Sequence, residues 1–316
     1  MTLRVSAVRR ETPAICAFDL VDPEGRELPP FTAGAHLDVF LPSGLVRQYS
    51  LCNPPQERQR YRIAVLLEAG GRGGSREMHE RVDEGELIEV TAPRNNFPLS
   101  NAARHHLLIA GGIGITPMLA MVWELERRGA DWELHYCTRS PEDTAFYELL
   151  AAPRFAEHTA FHHDGGDPAE GLDVASLLAG VREGTHVYCC GPAGLMAAAR
   201  AAGAHLLPGR LHFEHFSVDQ SVAAGAVDGA FEVEIASSGQ VIEIPAERSI
   251  LETLEDHGIE VEHMCTEGLC GTCIVDVLEG IPDHRDVVLD DEEKASNKLM
   301  TVCCSRAKSG RLKLDL

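Results

Sequence analysis

The sequence has no long apolar run, no secretory leader and no excess of basic residues, and each absence narrows the class of protein. None of its apolar stretches approaches the length of a membrane span, so we expect no membrane-spanning segment. The first residues, MTLRVSAVRRETP, lack the apolar core and cleavage site of a signal peptide, which predicts a cytoplasmic protein in which disulfides are rare. The net charge of −21 argues against nucleic-acid binding.

Cysteine, in contrast, is abundant. The chain has ten cysteines in 316 residues, with the 44% hydrophobic and 24% charged content of a soluble globular protein of two or three domains. In a reducing compartment, clustered cysteines indicate metal or redox chemistry. Seven of them are grouped, at Cys189 and Cys190, at Cys265, Cys270 and Cys273, and at Cys303 and Cys304.

Acidic residues are concentrated at the C-terminal end. From Asp228 onward there are 20 acidic and 8 basic residues, which gives a net charge of −12 out of the −21 of the whole chain. Such a segment forms either a solvated acidic face that aids solubility or a docking surface for a basic partner. Composition alone favours the solvated face.

Three regions of different character follow one another. Residues 1–100 alternate short β-rich runs with turn signals, which predicts an antiparallel barrel or sandwich. Residues 104–216 alternate strand and helix patterns, which predicts a parallel sheet with crossover helices. Residues 217–230 have the composition of a linker, and Ser249-Ile-Leu-Glu252 is a capping box that begins a helix. We therefore predict a multidomain protein, α/β and all-β, with domains at 1–101, 102–222 and 229–316.

The cysteine triplet has the spacing C-x4-C-x2-C in the stretch CTEGLCGTC, and Cys303 lies 30 positions after Cys273. This is the plant-type arrangement for a [2Fe–2S] cluster, in which two irons need two thiolates each. Gly268 and Gly271 would let the loop wrap the inorganic sulfides and aim N–H groups at them. A zinc site, the alternative, would normally show paired C-x2-C knuckles, and only one such pair is present. The pattern therefore favours the cluster.

Residues 230–316 resemble a plant-type ferredoxin, which is a β-grasp domain. The stretch CCSRA at 303–307 resembles the closing motif of that module in the phthalate dioxygenase reductase family, in which the first cysteine is the ligand. The resemblance therefore implies Cys303 rather than Cys304 as the fourth ligand. The implied ligand set is Cys265, Cys270, Cys273 and Cys303.

Two stretches of the first region have the chemistry of a phosphate site. Arg47-Gln-Tyr-Ser50 combines an arginine fork with a tyrosine and a serine, which suits a phosphate and a planar ring, although a surface arginine beside a strand has the same pattern. Gly70-Gly-Arg-Gly-Gly-Ser75 opens a helix whose free N–H groups can bind phosphate. A flexible loop would explain these glycines, but not Ser75, which we expect to cap the helix.

Together with APRNNFPL, these stretches resemble the flavin domain of the ferredoxin-reductase superfamily, in its FMN-binding branch. The motifs alone do not exclude FAD, but the compact domain and the family favour FMN. The resemblance places Ser50 near N5 of the flavin, and an aromatic ring at Phe216 on the flavin until nicotinamide displaces it; a core phenylalanine is the alternative. The implied FMN contacts are Arg47, Gln48, Tyr49, Ser50, Ala64, Val65, Leu66, Gly73, Gly74, Ser75 and Phe216.

The nucleotide loop reads G-x-G-x-x-P from Gly112 to Pro117, with a strand before it and a helix after it that we expect Pro117 to begin. Cys190-Gly-Pro192 ends another parallel strand, and ligands bind at the carboxyl ends of such strands, so both loops can line one crevice. In the resembled family this is the pyridine-nucleotide site, with Thr116 and Cys190 near the nicotinamide; a buried core thiol is the alternative for Cys190. The implied NAD contacts are Gly112, Gly114, Thr116, Pro117, Cys190, Gly191 and Pro192, and the implied catalytic residues are Ser50, Thr116 and Cys190.

The order of domains indicates an electron-transfer chain. Nicotinamide gives up two electrons as hydride, a [2Fe–2S] cluster accepts one at a time, and a flavin converts between them. Hydride transfer needs no general base, so we expect catalysis by close stacking of nicotinamide on flavin. Thr138-Arg139-Ser140 would allow contact with a 2′-phosphate, but the resembled family mostly uses NADH, so we expect NADH.

Nearly the whole chain resembles the phthalate dioxygenase and vanillate demethylase reductases, the reductase halves of two-component Rieske oxygenase systems. The resemblance implies an antiparallel flavin-binding barrel, a parallel nucleotide-binding domain and a β-grasp ferredoxin domain, with a separate oxygenase as partner. It also favours the interpretation of the acidic C-terminal residues as a docking surface around the cluster over a merely solvated face. The alternatives are a reductase for another acceptor, such as a cytochrome P450, and a redox-sensing regulator.

Overall fold

A computed structural model of the protein describes residues 1–216 and 229–316. The expected linker at 217–230 and the end of the expected second domain therefore lie mostly outside the described residues. The chain forms two compact units, Met1–Glu214 and His215–Leu316, and each is described by itself. Among the helices in the described ranges, none has the length and apolar character that a membrane span requires.

The first unit begins with a six-stranded antiparallel sheet in the order β4-β3-β6-β1-β2-β5. A bridge between Leu51 and Ile63, and a hydrogen bond of 2.9 Å from Cys52 N to Arg62 O, join the two outer strands and close the sheet into a barrel. This is the barrel that the turn-rich first hundred residues predict. Its strands are β1 (Thr2–Thr12), β2 (Ile15–Val21), β3 (His36–Phe40), β4 (Val46–Ser50), β5 (Tyr61–Leu66) and β6 (Leu87–Val90), and helix α1 (Gly74–Arg81) lies between the last two.

The second sheet of this unit is parallel, with five strands in the order β11-β10-β7-β8-β9. The central strand is apolar on both faces, as expected for a sheet covered on both sides. Leu108 packs into the same core as the helix after it, whereas Leu107 and Ile109 pack with Leu178 and Met196 on the other face. The strands are β7 (His105–Gly111), β8 (Trp132–Thr138), β9 (Thr159–His163), β10 (Thr185–Cys190) and β11 (Leu211–Glu214); the helices are α2 (Ile115–Arg128), α3 (Tyr147–Leu150), α4 (Val174–Ala179) and α5 (Ala193–Ala202).

Helix α2 begins differently from the expectation. A 3-10 turn at Gly112–Gly114 precedes it, so the helix starts at Ile115 and Pro117 is its third residue rather than its first. Proline is tolerated there because the N–H groups of the first turn have no partner inside the helix. Gly129 ends the helix in the left-handed conformation, with φ 61°.

The second unit contains a five-stranded sheet in the order β13-β12-β18-β14-β16, in which only β12 and β18 run parallel. The predicted capping box is present: Ser249 Oγ accepts from Glu252 N, and the Glu252 carboxylate accepts from Ser249 N. The predicted fold class is confirmed. The strands are β12 (Phe231–Ile235), β13 (Val241–Ile244), β14 (Ile274–Glu279), β15 (Pro282–Asp283), β16 (Leu299–Thr301), β17 (Arg306–Ala307) and β18 (Arg311–Leu314); the helices are α6 (Ile250–Asp256) and α7 (Asp291–Ser296).

Candidate functional site

The cysteine loop lies between α6 and β14 and has an unusual backbone. Thr266, Gly268 and Gly271 adopt φ values of 55°, 72° and 76°. Two amides turn inward to sulfur: Glu267 N donates to Cys265 Sγ at 3.3 Å, and Thr272 N donates to Cys270 Sγ at 3.5 Å. Threonine in the left-handed region is strained, which is common in loops that wrap a ligand.

Four cysteine thiols of this unit meet in two pairs. The Cys265 thiol hydrogen-bonds to Cys270 and lowers the pKa of Cys270 to about 5. The Cys303 thiol hydrogen-bonds to Cys273 in the same way and lowers its pKa to about 7. Two pairs of thiols, brought from one loop and one distant segment, are the donor set that two irons with two thiolates each require. The residues present therefore fit a [2Fe–2S] cluster.

Cys303 and Cys304 differ in their surroundings. Cys303 is buried and hydrogen-bonds to Cys273, whereas Cys304 is partly exposed and contacts Thr301 Oγ1 at 3.3 Å. Within residues 1–216 and 229–316, no three histidine, cysteine or acidic side chains are placed to hold a single metal ion. The pairing of Cys303 with a loop cysteine supports Cys303 as the fourth ligand.

The predicted phosphate site lies where β4 meets the start of α1. The Arg47 side chain lies against Gly74 so closely that a Cβ added there would be 2.6 Å from Arg47 Nε. Arg47 Nη2 also donates to Arg72 O at 3.3 Å. Glycine at the helix start therefore lets a guanidinium and free backbone N–H groups face the same space, which fits the phosphate of a flavin mononucleotide.

The expected helix cap is wrong. Gly73, with φ 88°, occupies the cap position, and no side chain caps the helix. Ser75 is the second helical residue, and its Oγ accepts from Glu68 N at 3.1 Å, which ties the start of the loop after β5 to α1. The glycine at the cap adopts a left-handed conformation that serine would strain, which explains the difference.

The other predicted flavin contacts lie on β4 and β5. Gln48 Nε2 donates to the buried Asp38 carboxylate at 2.8 Å, so this side chain is already engaged within the barrel. Burial raises the pKa of Tyr49. The Val65 carbonyl is fixed by His79 Nε2 at 2.8 Å. Its neighbours in β5 are Ala64, which is buried, and Leu66, which is partly exposed.

The two predicted nucleotide loops are in backbone contact. A Cβ added to Gly114 would lie 2.1 Å from Cys190 O, and one added to Gly191 would lie 2.9 Å from Gly111 Cα. Only glycine permits this approach, and it brings the ends of β7 and β10 together. Pro192 directly precedes α5, and its ring also lies against Gly111.

Thr116 and Cys190 are both buried beside this crevice. The Thr116 hydroxyl donates to Ile113 O at 3.0 Å and so closes the first turn of the helix. Burial raises the pKa of the Cys190 thiol, which keeps it protonated. Phe216 is 39% exposed, and it is the last residue described before 229.

Glu214 is a candidate site residue that sequence reasoning missed. It ends β11 in register with Cys190, and Ser50 Oγ donates to its carboxylate at 3.4 Å. Burial raises the pKa of Glu214 to about 8. The structure thus brings together Ser50 from the barrel and Cys190 from the parallel sheet around one largely protonated acid. The local signal is weak: an acid at the end of a partly buried strand, in the stretch FEHF.

Comparison with known proteins gives two family matches and close relatives. Residues 233–308 match the 2Fe-2S iron-sulfur cluster binding domain, and residues 108–201 match the oxidoreductase NAD-binding domain. The chain is 47% identical to the vanillate O-demethylase oxidoreductase of Pseudomonas sp. (strain HR199 / DSM 7063), over 99% of this chain and 98% of that protein. It is 44% identical to the phthalate dioxygenase reductase of Burkholderia cepacia, over 100% of this chain and 97% of that protein.

Solved structures that are similar over the whole chain include a reductase and a cytochrome P450 monooxygenase. The structure of phthalate dioxygenase reductase, described as modular for electron transfer from pyridine nucleotides to [2Fe–2S], has a TM-score of 0.78 at 44% identity and is covered to 98%. An intact type IV self-sufficient cytochrome P450 monooxygenase has a TM-score of 0.84 at 38% identity, and 41% of that chain is covered.

Proposed function

Because the chain belongs to the family of phthalate dioxygenase reductases and vanillate O-demethylase oxidoreductases, we propose that it passes electrons from NADH through FMN to a [2Fe–2S] cluster. The final acceptor is a separate oxygenase of the Rieske non-haem iron type. When bound, FMN converts the two electrons of a hydride into single electrons, which the cluster accepts one at a time. Nucleic acid and membrane have no part in this function.

The pairing of four thiols is the observation that carries the proposal. Cys265 pairs with Cys270, and Cys273 pairs with Cys303. A tight loop holds three of them and a distant segment supplies the fourth. This arrangement would bind two irons, with loop amides such as those of Glu267 and Thr272 donating to the cysteine sulfurs.

The remaining roles rest on the barrel and the parallel sheet. We assign FMN to 1–101, nucleotide binding to 102–222 and the cluster to 229–316. Arg47 and the start of α1 hold the flavin phosphate, Ser50 and the β5 backbone border the flavin ring, and Phe216 shields it. The two glycine loops, with Thr116 and Cys190, position the nicotinamide. Glu214 keeps a proton beside Ser50, so that no negative charge stands next to the hydride acceptor.

Carboxylates at the nucleotide crevice support NADH over NADPH. Ser140 Oγ donates to Asp143 Oδ2 at 3.0 Å, so this hydroxyl is not free for a 2′-phosphate. Asp164 lies at the end of the neighbouring strand, where its N donates to Thr138 O at 3.2 Å. A 2′-phosphate would bring further negative charge to these acids, which costs free energy unless a cation compensates. The ratio of kcat/KM for the two nucleotides tests this assignment.

The cytoplasm is the proposed location. All ten cysteines lie in the described residues, and none forms a disulfide. Free thiols in this number suit a reducing compartment, where a cluster also assembles from reduced cysteines.

Replacement of a cluster ligand tests the function. We expect purified wild-type protein to contain flavin, iron and sulfide, and its overlapping visible bands to bleach on addition of NADH. Cys270→Ser should still reduce ferricyanide, which takes electrons from the flavin directly, but should lose nearly all reduction of cytochrome c and of the oxygenase. The matched control, Cys189→Ala, removes a buried thiol from β10 and should retain both activities. Undiminished cytochrome c reduction by Cys270→Ser, or a colourless zinc-loaded wild type, would contradict the proposal.

A second candidate function is supply of electrons to a cytochrome P450. It is favoured by the likeness of this whole chain to 41% of a self-sufficient P450 monooxygenase. Assay of the reduced protein with a P450 and with a Rieske oxygenase separates the two. The acceptor that the reduced protein reduces faster in a single turnover identifies the acceptor class.

A further inference from the structure

A buried acid lies in the segment between β15 and α7. The side chain of Asp286 is fully buried. Its Oδ2 accepts from Leu289 N at 2.9 Å, and its Oδ1 accepts from Ser305 Oγ at 3.4 Å. Ser305 stands two positions after the candidate ligand Cys303. The carboxylate is therefore bonded to the stretch of chain that supplies the fourth ligand.

The same segment also packs against the ligand loop. Val287 N donates to Gly268 O at 3.1 Å. A Cβ added to Gly268 would lie 3.0 Å from Asp286 Cα and 3.2 Å from Asp286 Cβ. Gly268 stands between the candidate ligands Cys265 and Cys270. Asp286 thus contacts both stretches of chain that carry the candidate ligands.

Lys294, on α7, supplies the positive charge that faces this carboxylate. Its Nζ lies 3.9 Å from Asp286 Oδ2 and donates to Asp286 O at 2.7 Å. His284 Nδ1 lies 3.8 Å from Asp286 Oδ1, but burial lowers the pKa of His284, so this ring is neutral at pH 8. The Lys294 side chain is 27% exposed, so water screens its charge more than it screens the buried carboxylate. The pair therefore leaves a net negative electrostatic effect beside the ligand loop.

We propose that Asp286 is a positioning residue that sets the reduction potential of the cluster: its buried charge lowers that potential, and Lys294 limits the effect. The inference rests on the proposed function. Reduction adds one negative charge to the cluster, and a fixed negative charge beside the ligand loop opposes that addition. A cluster of lower potential is a stronger reductant for the acceptor. Asp286 and Lys294 keep their charges in both oxidation states, so no proton is transferred.

The test compares the midpoint potentials of Asp286→Asn, Lys294→Gln and the double variant with wild type, all as purified holoprotein at pH 8. Titrations followed by electron paramagnetic resonance measure them. We expect electron uptake by the cluster to become roughly tenfold more favourable in Asp286→Asn and roughly threefold less favourable in Lys294→Gln. Tenfold corresponds to about 59 mV for a one-electron couple. The double variant should lie between the two single variants, because it removes both charges.

Opposite shifts separate a charge effect from a merely structural one. Loss of packing would change the iron and sulfide content in the same direction in all three variants, and most in the double variant. The control, Glu234→Gln, removes the same charge from β12, where the carboxylate lies 2.9 Å from Lys313 Nζ. It should keep the wild-type potential.

Three results would overturn the inference. One is an unchanged potential in Asp286→Asn, and another is a shift of the same sign in Asp286→Asn and Lys294→Gln. The third is a shift in Glu234→Gln as large as that in Asp286→Asn. If Asp286→Asn purifies without its cluster, Lys294→Gln decides, and a potential equal to or above that of wild type overturns the inference. These results leave the proposed function standing, whereas wild-type protein without iron and sulfide would overturn function and inference together.

Discussion

At the scale of single residues, Glu214 shows how the fold sets the charge of a site. A carboxyl group normally ionises near pH 4, but burial raises the pKa of Glu214 to about 8. The hydrogen bond that it accepts from Ser50, at 3.4 Å, is too weak to offset the cost of placing a charge there. The acid is therefore largely neutral at pH 7 and ionises as pH rises through about 8.

Glu214→Gln should remove the dependence of NADH oxidation on pH between 7 and 9. In wild type the group is neutral below about pH 8 and gains a negative charge beside Ser50 above it. Hydride transfer brings negative charge to the same place, so we expect NADH oxidation to fall as pH rises from 7 to 9. The glutamine variant stays neutral and should show a flat profile over that range. Ferricyanide reduction at saturating NADH measures it, and an identical fall in the variant would assign the titration to another group.

At the scale of elements, the two nucleotide loops depend on the absence of a side chain at Gly114. Gly114→Ala would place a methyl group 2.1 Å from Cys190 O, which is a backbone atom and cannot turn aside. We expect the free energy of unfolding to fall by about 1–3 kcal/mol and KM for NADH to rise, because β7 and β10 must separate. The control, Gly194→Ala in α5, meets no atom within 4 Å and should be neutral or slightly stabilising. Equal effects of the two variants, in denaturation followed by tryptophan fluorescence, would contradict this reading of the loops.

A row of stacked aromatic side chains on the parallel sheet should make the stability of the first unit fall at acidic pH. His106 stacks on Tyr188 at 5.9 Å between ring centroids, and Tyr188 stacks on His212 at 4.6 Å. Burial lowers the pKa of both histidines to about 4, so folding favours their neutral forms. In the unfolded chain they titrate near 6.5. The stabilisation is thus complete above pH 6.5 and is lost as pH falls from 6.5 towards 4.

His106→Phe should reduce the dependence of the free energy of unfolding on pH between 6.5 and 4. Within residues 1–216 and 229–316, the buried His106 ring nitrogen Nδ1 has no hydrogen-bond partner, so phenylalanine loses no bond at that atom. At pH 5 the titration of His106 should lower the free energy of unfolding of the wild type by about 2 kcal/mol, and the variant should not show this decrease. Both tryptophans, Trp123 and Trp132, lie in this part of the first unit, and their fluorescence reports its unfolding separately from cluster loss. If the free energy of unfolding depended on pH in the same way in both proteins, His106 would not titrate between pH 6.5 and 4.

The elements that sequence predicts best are those with local signals. The cysteine spacing, the glycine loops and the capping box at Ser249 each depend on neighbours within a few residues, and the capping box forms as predicted. Helix α2 starts two residues before the predicted position because a 3-10 turn precedes it, and Gly73 rather than the predicted Ser75 occupies the cap position of α1. Turn geometry of this kind depends on backbone contacts that composition does not encode.

The contacts that sequence misses join distant segments. Ser50 and Glu214 are 164 positions apart, and nothing near either residue signals the other. The contact of Cys304 with Gly268 likewise depends on how β16 returns beside the ligand loop. Both pairs lie at the candidate sites. Local sequence patterns identify the functional residues there, but long-range packing determines their charge and their hydrogen bonds.

At the scale of the whole molecule, the uneven charge predicts how the protein meets its acceptor. The segment from Asp228 to Leu316 carries −12 of the net −21, and exposed acids such as Glu260 and Glu262 closely precede the ligand loop. A negative surface of this kind steers a basic partner at low ionic strength and loses its effect when salt screens it. The acidic segment is therefore expected to act on the rate of encounter more than on the electron transfer itself.

Electron delivery should consequently fall as salt rises. We expect reduction of cytochrome c, a basic protein, and of the oxygenase to drop by about tenfold between 20 mM and 500 mM salt, whereas reduction of the anionic ferricyanide should stay constant or rise. The double variant Glu260→Gln/Glu262→Gln should reproduce part of the loss at low salt. Glu157→Gln/Glu183→Gln removes the same charge from exposed positions of the first unit and serves as the control. A rate with the oxygenase that is independent of salt, or equal losses in the two double variants, would rule out docking through the acidic surface beside the cluster loop.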